Sequence, residues 1–211
     1  YLHYVLDLWF EKCIKKQLYG EAYLVRFADD FLIMFQYERD AQRVYEAVIK
    51  RMELFGLELS KEKTRILPFG RHSVSRETFD FLGFTHFNSK TRKGYYTVGH
   101  KISRKKKKQF KSNLKKWVKE NRNTQFDEFM KTLNKKLTGS VNYYSLSGMI
   151  KEVRNLWIHS LYVTFKWLNR RSQRKSFKLE KFYEIWNDRI IRPYIHVDIW
   201  SGDKVIYNKN V

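Results

Sequence analysis

The 211-residue sequence contains a single cysteine, Cys13. One thiol rules out a disulfide framework and any cysteine-based zinc site, and it fits a reducing compartment. No apolar run approaches the roughly 20 residues that a membrane span requires. No signal-peptide pattern, internal repeat or low-complexity linker is recognisable. Acidic residues are scarce: 22 Asp plus Glu stand against 43 Lys plus Arg, a formal net charge of +21. A surplus that large repels itself unless a polyanion neutralises it, and nucleic acid is the usual partner.

What the chain does have is apolar and aromatic material, 43% and 17% of its residues, which is enough for a packed core. It opens at Tyr1 already inside an amphipathic pattern, so it is expected to be a segment of a longer protein. Leu2, Val5, Leu6, Trp9, Phe10, Cys13 and Ile14 recur at helical spacing and predict a helix over about residues 1–18. Residues 22–27 and 31–35 read as strands joined by Ala28-Asp29-Asp30. Helical spacing returns from Arg39 to Phe55, with Gly56 as its stop. The segment 56–70 predicts a short extended piece, a polar turn and a strand through Ile66 and Leu67, closed by Pro68 and Gly70. Residues 79–87 and 94–100 flank a Lys-Thr-Arg-Lys turn and suggest a hairpin.

Composition shifts at 101–110, and beyond it only helices are predicted. Phe110, Leu114, Trp117 and Val118 mark the first, and a capping box from Thr124 to Asp127 opens the second. A third runs from about Leu146 to Arg171 and a fourth over about 178–190. The expectation is an α+β fold, with a mixed module over 1–100 and a helical bundle over 101–211. Tyr143, Tyr144, Trp157 and Trp167 follow helical periodicity and are expected in the core.

The stretch Val25-Arg26-Phe27-Ala28-Asp29-Asp30-Phe31-Leu32-Ile33-Met34-Phe35 sets two carboxylates between two apolar, strand-forming runs. Adjacent carboxylates projecting from a tight turn suit hard divalent cations, which prefer oxygen ligands. An Asp-Asp pair is also an ordinary turn sequence, because aspartate tolerates turn geometry. On its own the pair leaves both readings open.

It does not stand alone. "VRFADDFLIMF", "GLELSKEKT" and "FDFLGF" occur in the order and approximate spacing of the later palm motifs of reverse transcriptases, and resemble those encoded by group II introns. The opening "YLHYVLDLWFEK" is similar to that family's helix before the catalytic hairpin. Residues 133–171 resemble its maturase-specific helical thumb. The resemblance implies a partial polymerase palm followed by a thumb. Asp29 and Asp30 would be catalytic metal ligands for Mg²⁺ in a two-metal site, with Mn²⁺ as an alternative. Lys63 would lie near the incoming triphosphate and protonate the pyrophosphate. Phe27 and Ala28 would pack beside the nucleotide or primer end, Phe27 standing where most relatives have tyrosine. Phe81, Leu82, Gly83 and Phe84 would form the primer grip. Thr138-Gly139-Ser140 replaces the family's usual Arg-Gly-Trp.

The implied partners are intron RNA, an RNA template, a DNA primer and deoxynucleoside triphosphates, in a bacterial cytoplasm and associated with the nucleoid. The upstream palm, with a further metal-binding aspartate, is missing, so the fragment is expected to be inactive alone. Asp7 is a poor candidate for that role. No HNH-like cluster follows residue 190. Lys101, Arg104, Lys105, Lys106, Lys107, Lys108, Lys111 and Lys115 belong to a run of ten basic residues in nineteen positions without an acid, which favours RNA. Arg170, Arg171 and Arg174 form a second candidate contact. Two other roles are compatible with the same motifs: a non-enzymatic RNA-binding maturase, and a related reverse transcriptase used in defence or CRISPR spacer acquisition.

Overall fold

The computed structural model describes residues 1–60, 62–171, 176–195 and 197. Arg174 lies outside the described residues. The fold is α+β, with two small sheets and several helices. Residues 1–82 and 87–98 cluster as one compact unit, and residues 83–86 with 99 onward as another.

The first unit opens with a helical segment of uneven winding: wide π turns over His3–Asp7 and Phe10–Ile14, then a 3₁₀ turn over Lys15–Gln17. Its Val5, Leu6 and Phe10 are buried. Strands β1 (Ala22–Phe27) and β2 (Asp30–Phe35) pair antiparallel with Phe27 opposite Asp30. Asp30 is therefore the first strand residue, and the turn is Ala28-Asp29, one residue shorter than the sequence suggests. Helix α1 (Glu38–Leu54) lays Val44, Val48 and Met52 into a core shared with Val5, Leu6, Phe10 and Ala22. The helix ends in a Schellman motif. The Leu57 amide donates to the Met52 carbonyl (2.9 Å) and the Gly56 amide to that of Glu53 (3.0 Å), with Gly56 at φ +68°.

No strand forms at Ile66 and Leu67, contrary to the alternation there. The segment is tied by side chains instead, as when Arg65 donates to the Thr78 carbonyl (2.7 Å). Pro68 has no amide to offer a ladder. Strands β3 (Thr78–Phe81), β4 (Phe84–Lys90) and β5 (Tyr96–Ile102) form a three-stranded sheet in that order. Residues 79–87 are thus two strands rather than one, broken at Leu82-Gly83.

In the second unit, α2 (Arg104–Asn121) is capped by the Ser103 hydroxyl, which accepts from the Lys106 amide. Helices α3 (Phe126–Tyr144), α4 (Ile150–Leu168) and α5 (Leu179–Arg189) follow. Val118, Phe129, Leu133, Leu161, Leu168, Phe182 and Trp186 form their common core. The capping box does not form: the Thr124 hydroxyl donates back to the Asn121 carbonyl (2.8 Å), closing α2 rather than opening α3. Helix α4 starts four residues later than the apolar pattern implies, because Gly148 turns the chain at φ +84°. No helix among the described residues is long and apolar enough to cross a membrane.

Candidate active site and nucleic-acid interface

In the β1–β2 hairpin, side chains alternate between two faces. Ala22, Leu24 and Arg26 turn towards the interior, while Tyr23, Val25 and Phe27 are exposed, Phe27 at 65%. At the turn Ala28 adopts φ +54°, the positive setting that two-residue hairpin turns need to match strand twist. Asp29 and Asp30 are exposed at this end of the hairpin. Neither carboxylate makes an ion pair or side-chain hydrogen bond with a described residue.

Arg26 explains how a basic chain leaves these two acids unneutralised. Its guanidinium grips Asp7 with both carboxylate oxygens engaged, Nε to Oδ1 at 2.7 Å and a terminal nitrogen to Oδ2 at 2.6 Å. The other terminal nitrogen donates to the Ala28 carbonyl at 2.7 Å. One side chain thus fastens the turn to the opening helical segment while its own charge is answered by Asp7. Arg26 holds the Asp7 carboxyl below its ordinary range, chiefly through the hydrogen bonds and against the opposing effect of burial, with His3 assisting. Asp7 is therefore an ion-pair partner and not a free ligand.

Asp29 and Asp30 supply hard oxygen donors, which suits Mg²⁺ or Mn²⁺ and not a soft metal. They are a partial set, since no group of three or more His, Cys, Asp or Glu is assembled for a metal among the described residues. Lys63 is exposed on a turn whose amides at 63 and 64 donate to the Ser60 carbonyl (3.0 and 2.9 Å). A cleft of about 340 Å³ lies between α1 and the segment 56–64, lined by Tyr45, Ile49, Glu53 and Leu59 among others. None of the candidate catalytic residues lines it.

Phe81 and Phe84 end and begin strands around the turn Leu82-Gly83, where φ is +51° and +83°. Two successive positive values fit a type I′ turn. In the second unit, the Gly83 carbonyl accepts from the Ser103 amide (3.0 Å). A β-carbon at Gly83 would sit no closer than 3.5 Å to Lys106 and Tyr144, so glycine is needed there for its backbone angle and not for space. Phe84 stacks on Tyr143 (centroids 5.5 Å) and meets Tyr144 edge-on (5.4 Å). Tyr143 is 51% exposed, which corrects its expected place in the core; Trp157 does lie there, its indole donating to the Ile191 carbonyl (2.9 Å).

The basic run divides by helix face. Arg104, Lys108, Lys111, Lys115, Lys119 and Arg122 follow one another at three- and four-residue steps, a single stripe along α2, and all but Arg122 are exposed. Lys105 and Lys106 are exposed on other faces, and Lys101 precedes the helix. Lys107 faces inward and pairs with Glu152 of α4. The Lys111 charge and partial burial together hold the His159 imidazole below its ordinary pKa, burial contributing more. At the C-terminal end of α2 the stripe meets Trp167 of α4. Lys119 Nζ, Arg122 Cζ and Arg170 Cζ lie 5.8, 5.5 and 5.4 Å from the indole centroid. Arg171 donates to the Leu168 carbonyl (3.2 Å) and the Arg122 carbonyl (3.4 Å).

Sequence reasoning counted Lys119 in the basic run but missed the part played by Arg26 and the gathering of Lys119, Arg122 and Arg170 at Trp167. For Arg26 a signal existed, an arginine on the inward side of a strand otherwise lined by Ala22 and Leu24, which calls for a buried acid. The Trp167 cluster depends on the packing of α2 on α4 and has no local signature.

A family profile described as "Reverse transcriptase (RNA-dependent DNA polymerase)" matches residues 1–86, which include the hairpin with Asp29 and Asp30. A second, described as "Group II intron, maturase-specific domain", matches residues 107–185, which include most of α2, all of α3 and α4, and the first seven residues of α5. No curated protein matches the chain. A reverse transcriptase region followed on the same chain by a maturase-specific region is the arrangement of group II intron-encoded proteins, and the chain belongs to that reverse transcriptase/maturase family.

Proposed function

We propose that the chain is the C-terminal palm and thumb of an RNA-directed DNA polymerase that also serves as an intron maturase. Residues 1–100 would supply the catalytic hairpin and primer grip of the palm, and residues 101–211 the thumb. The observation that carries this reading is the pair of exposed carboxylates with no side-chain partner among the described residues, on a hairpin whose turn is fastened by Arg26.

Asp29 and Asp30 would hold Mg²⁺, or Mn²⁺ in its place, with a third carboxylate from outside these residues. Such ions, when bound, lower the pKa of an attacking hydroxyl and stabilise a departing pyrophosphate. The residues of this chain prepare the reaction around them. Arg26 limits the motion of the turn, so the two carboxylates need little reorganisation on substrate arrival. Phe27, exposed beside them, offers a flat apolar surface to a nucleotide or to the primer terminus. The primer 3′-hydroxyl would lose its proton to solvent and attack the α-phosphorus, forming a new O–P bond as the bond to pyrophosphate breaks. Lys63, exposed on its turn, would give the proton that the leaving pyrophosphate takes up. Phe81, Leu82, Gly83 and Phe84 would hold the primer strand, their tight turn bringing backbone close to it. The basic residues of α2 would neutralise phosphates of template and intron RNA without reading sequence.

The test is Asp29→Asn in the complete polypeptide that contains this chain. Primer extension on an RNA template should fall to background, while affinity for intron RNA stays within about twofold. Primer extension equal to the parent would refute the metal assignment. A parent protein that binds intron RNA and never extends a primer would establish the non-enzymatic maturase instead.

A further inference from the structure

We infer that Trp167 and the cations around it form a discrete phosphate-binding site at the far end of the α2 stripe, one that takes the backbone of an RNA strand lying along that helix. The inference rests on the RNA-binding part of the reading above and adds a location to it.

Three cationic groups surround one indole within 6 Å of its centroid: Lys119 of α2, Arg122 at the C-terminal cap of α2, and Arg170 two residues beyond α4. None forms an ion pair with a carboxylate of a described residue. Arg171 adds a fourth charge, fixed by its bonds to the Leu168 and Arg122 carbonyls. Glu120, the nearest acid in sequence, points about 100° round the helix from Lys119.

A structural explanation of the cluster is incomplete. Cations do collect at helix C-termini, and α2 and α4 both end here. Each terminus carries only about half a negative charge. Two of them offset about one of the four positive charges. Cation–π attraction at an exposed ring is weak for each cation and leaves the charges themselves unneutralised. Trp167 is half-buried against the core of the second unit, so the ring itself is a fixed wall. Three surplus positive charges on a fixed wall favour an anion.

The anion is identified by continuity. The stripe Arg104, Lys108, Lys111, Lys115 leads along α2 into Lys119 and Arg122, and a helix of 18 residues spans about 27 Å. A line of positive charge that long suits a polyphosphate chain and exceeds what a small anion needs. Arginine guanidinium groups also give phosphate two parallel donors, and two of the three cations at the ring are arginine.

The experiment uses the 211-residue chain and a fluorescein-labelled single-stranded RNA of about 30 nucleotides. Affinity is measured by anisotropy between 50 and 300 mM salt. Arg122→Gln/Arg170→Gln is compared with Lys12→Gln/Lys16→Gln, which removes the same charge from exposed positions of the first unit. Each lost contact with a single strand reduces the salt slope by about 0.7, so the first pair should lower it by about 1.4 and weaken binding roughly 25-fold at 0.1 M salt. The control should change it little. Equal effects of the two pairs would overturn the site and leave general RNA binding standing. No binding by the wild-type chain would overturn the RNA-binding reading, and this inference with it. Trp167→Phe supplies a second readout that does not depend on charge: RNA should quench tryptophan fluorescence in the wild type and much less in this variant. Undiminished quenching would mean that the strand does not reach the ring.

Discussion

Replacing Asp7 with asparagine tests whether Arg26 holds the hairpin turn. The substitution keeps the shape of the side chain and removes the charge that Arg26 grips at 2.6 and 2.7 Å. A hydrogen bond to a charged group contributes about 1.5–3 kcal/mol when shielded, and an exposed ion pair about 0.2–1 kcal/mol. The two side chains are 26% and 22% exposed, between those limits, so solvent screening reduces the expected loss to about 1–2 kcal/mol. Hydrogen exchange of the β1 and β2 amides reads this directly. Protection factors over residues 22–35 should fall about 5- to 30-fold near neutral pH, by the conversion of about 1.4 kcal/mol per factor of ten.

The pH dependence gives a second check with a definite sign. The Asp7 carboxyl is held below its ordinary value in the folded state. Between the two values the unfolded chain binds more protons, so acid favours unfolding there. The contribution of the pair is complete above the unfolded value of about 3.9 and is lost as pH falls through the lower, folded one. The difference in protection between wild type and Asp7→Asn should be fully present at pH 5 and shrink steadily in stronger acid, below about pH 4. Equal protection at neutral pH, or a difference that widens in acid, would refute the argument.

The two tight turns should respond in opposite directions to exchange of alanine and glycine. Gly83→Ala places a side chain at φ +83°, a setting that costs an L-residue about 1–2 kcal/mol; part of this is offset by a stiffer unfolded chain, leaving a loss of about 1 kcal/mol in the urea midpoint. Ala28→Gly relieves the same strain at φ +54° and should raise stability by up to about 1 kcal/mol in the same measurement, or leave it unchanged if the freedom gained by the unfolded chain cancels the relief.

Much of the fold was legible because apolar period reports burial directly. Alternation located β1 and β2, and the 3.6-residue repeat located α1 and the later helices to within a few residues. Local polar geometry was harder to read. Asp30 looked like a turn residue, and only the register opposite Phe27 makes it the first residue of a strand. Leu82 carries no mark of the positive φ it adopts, so 79–87 read as one strand. Thr124 had the chemistry of a cap, yet its hydroxyl turned to the preceding helix. The paired aspartates were conspicuous as a candidate site. The arginine that fastens their turn was not, because its partner lies 19 residues away in sequence. The indole cluster was further from view, since it joins residues of α2 and α4 that only packing brings together.

The hairpin that carries Asp29 and Asp30 also has a second face. Tyr23, Val25, Phe27 and Met34 leave a run of apolar surface exposed, on a sheet of only two strands whose outer edges have no further strand among the described residues. Such edges are templates for pairing with another copy of the chain. The positive surplus of 21 charges keeps separate copies apart, and salt or a bound polyanion weakens that repulsion. On the proposed reading, colloidal stability and RNA affinity would be set by the same lysines and arginines: concentrated salt, which would strip RNA from the chain, would also let its bare strand edges approach one another.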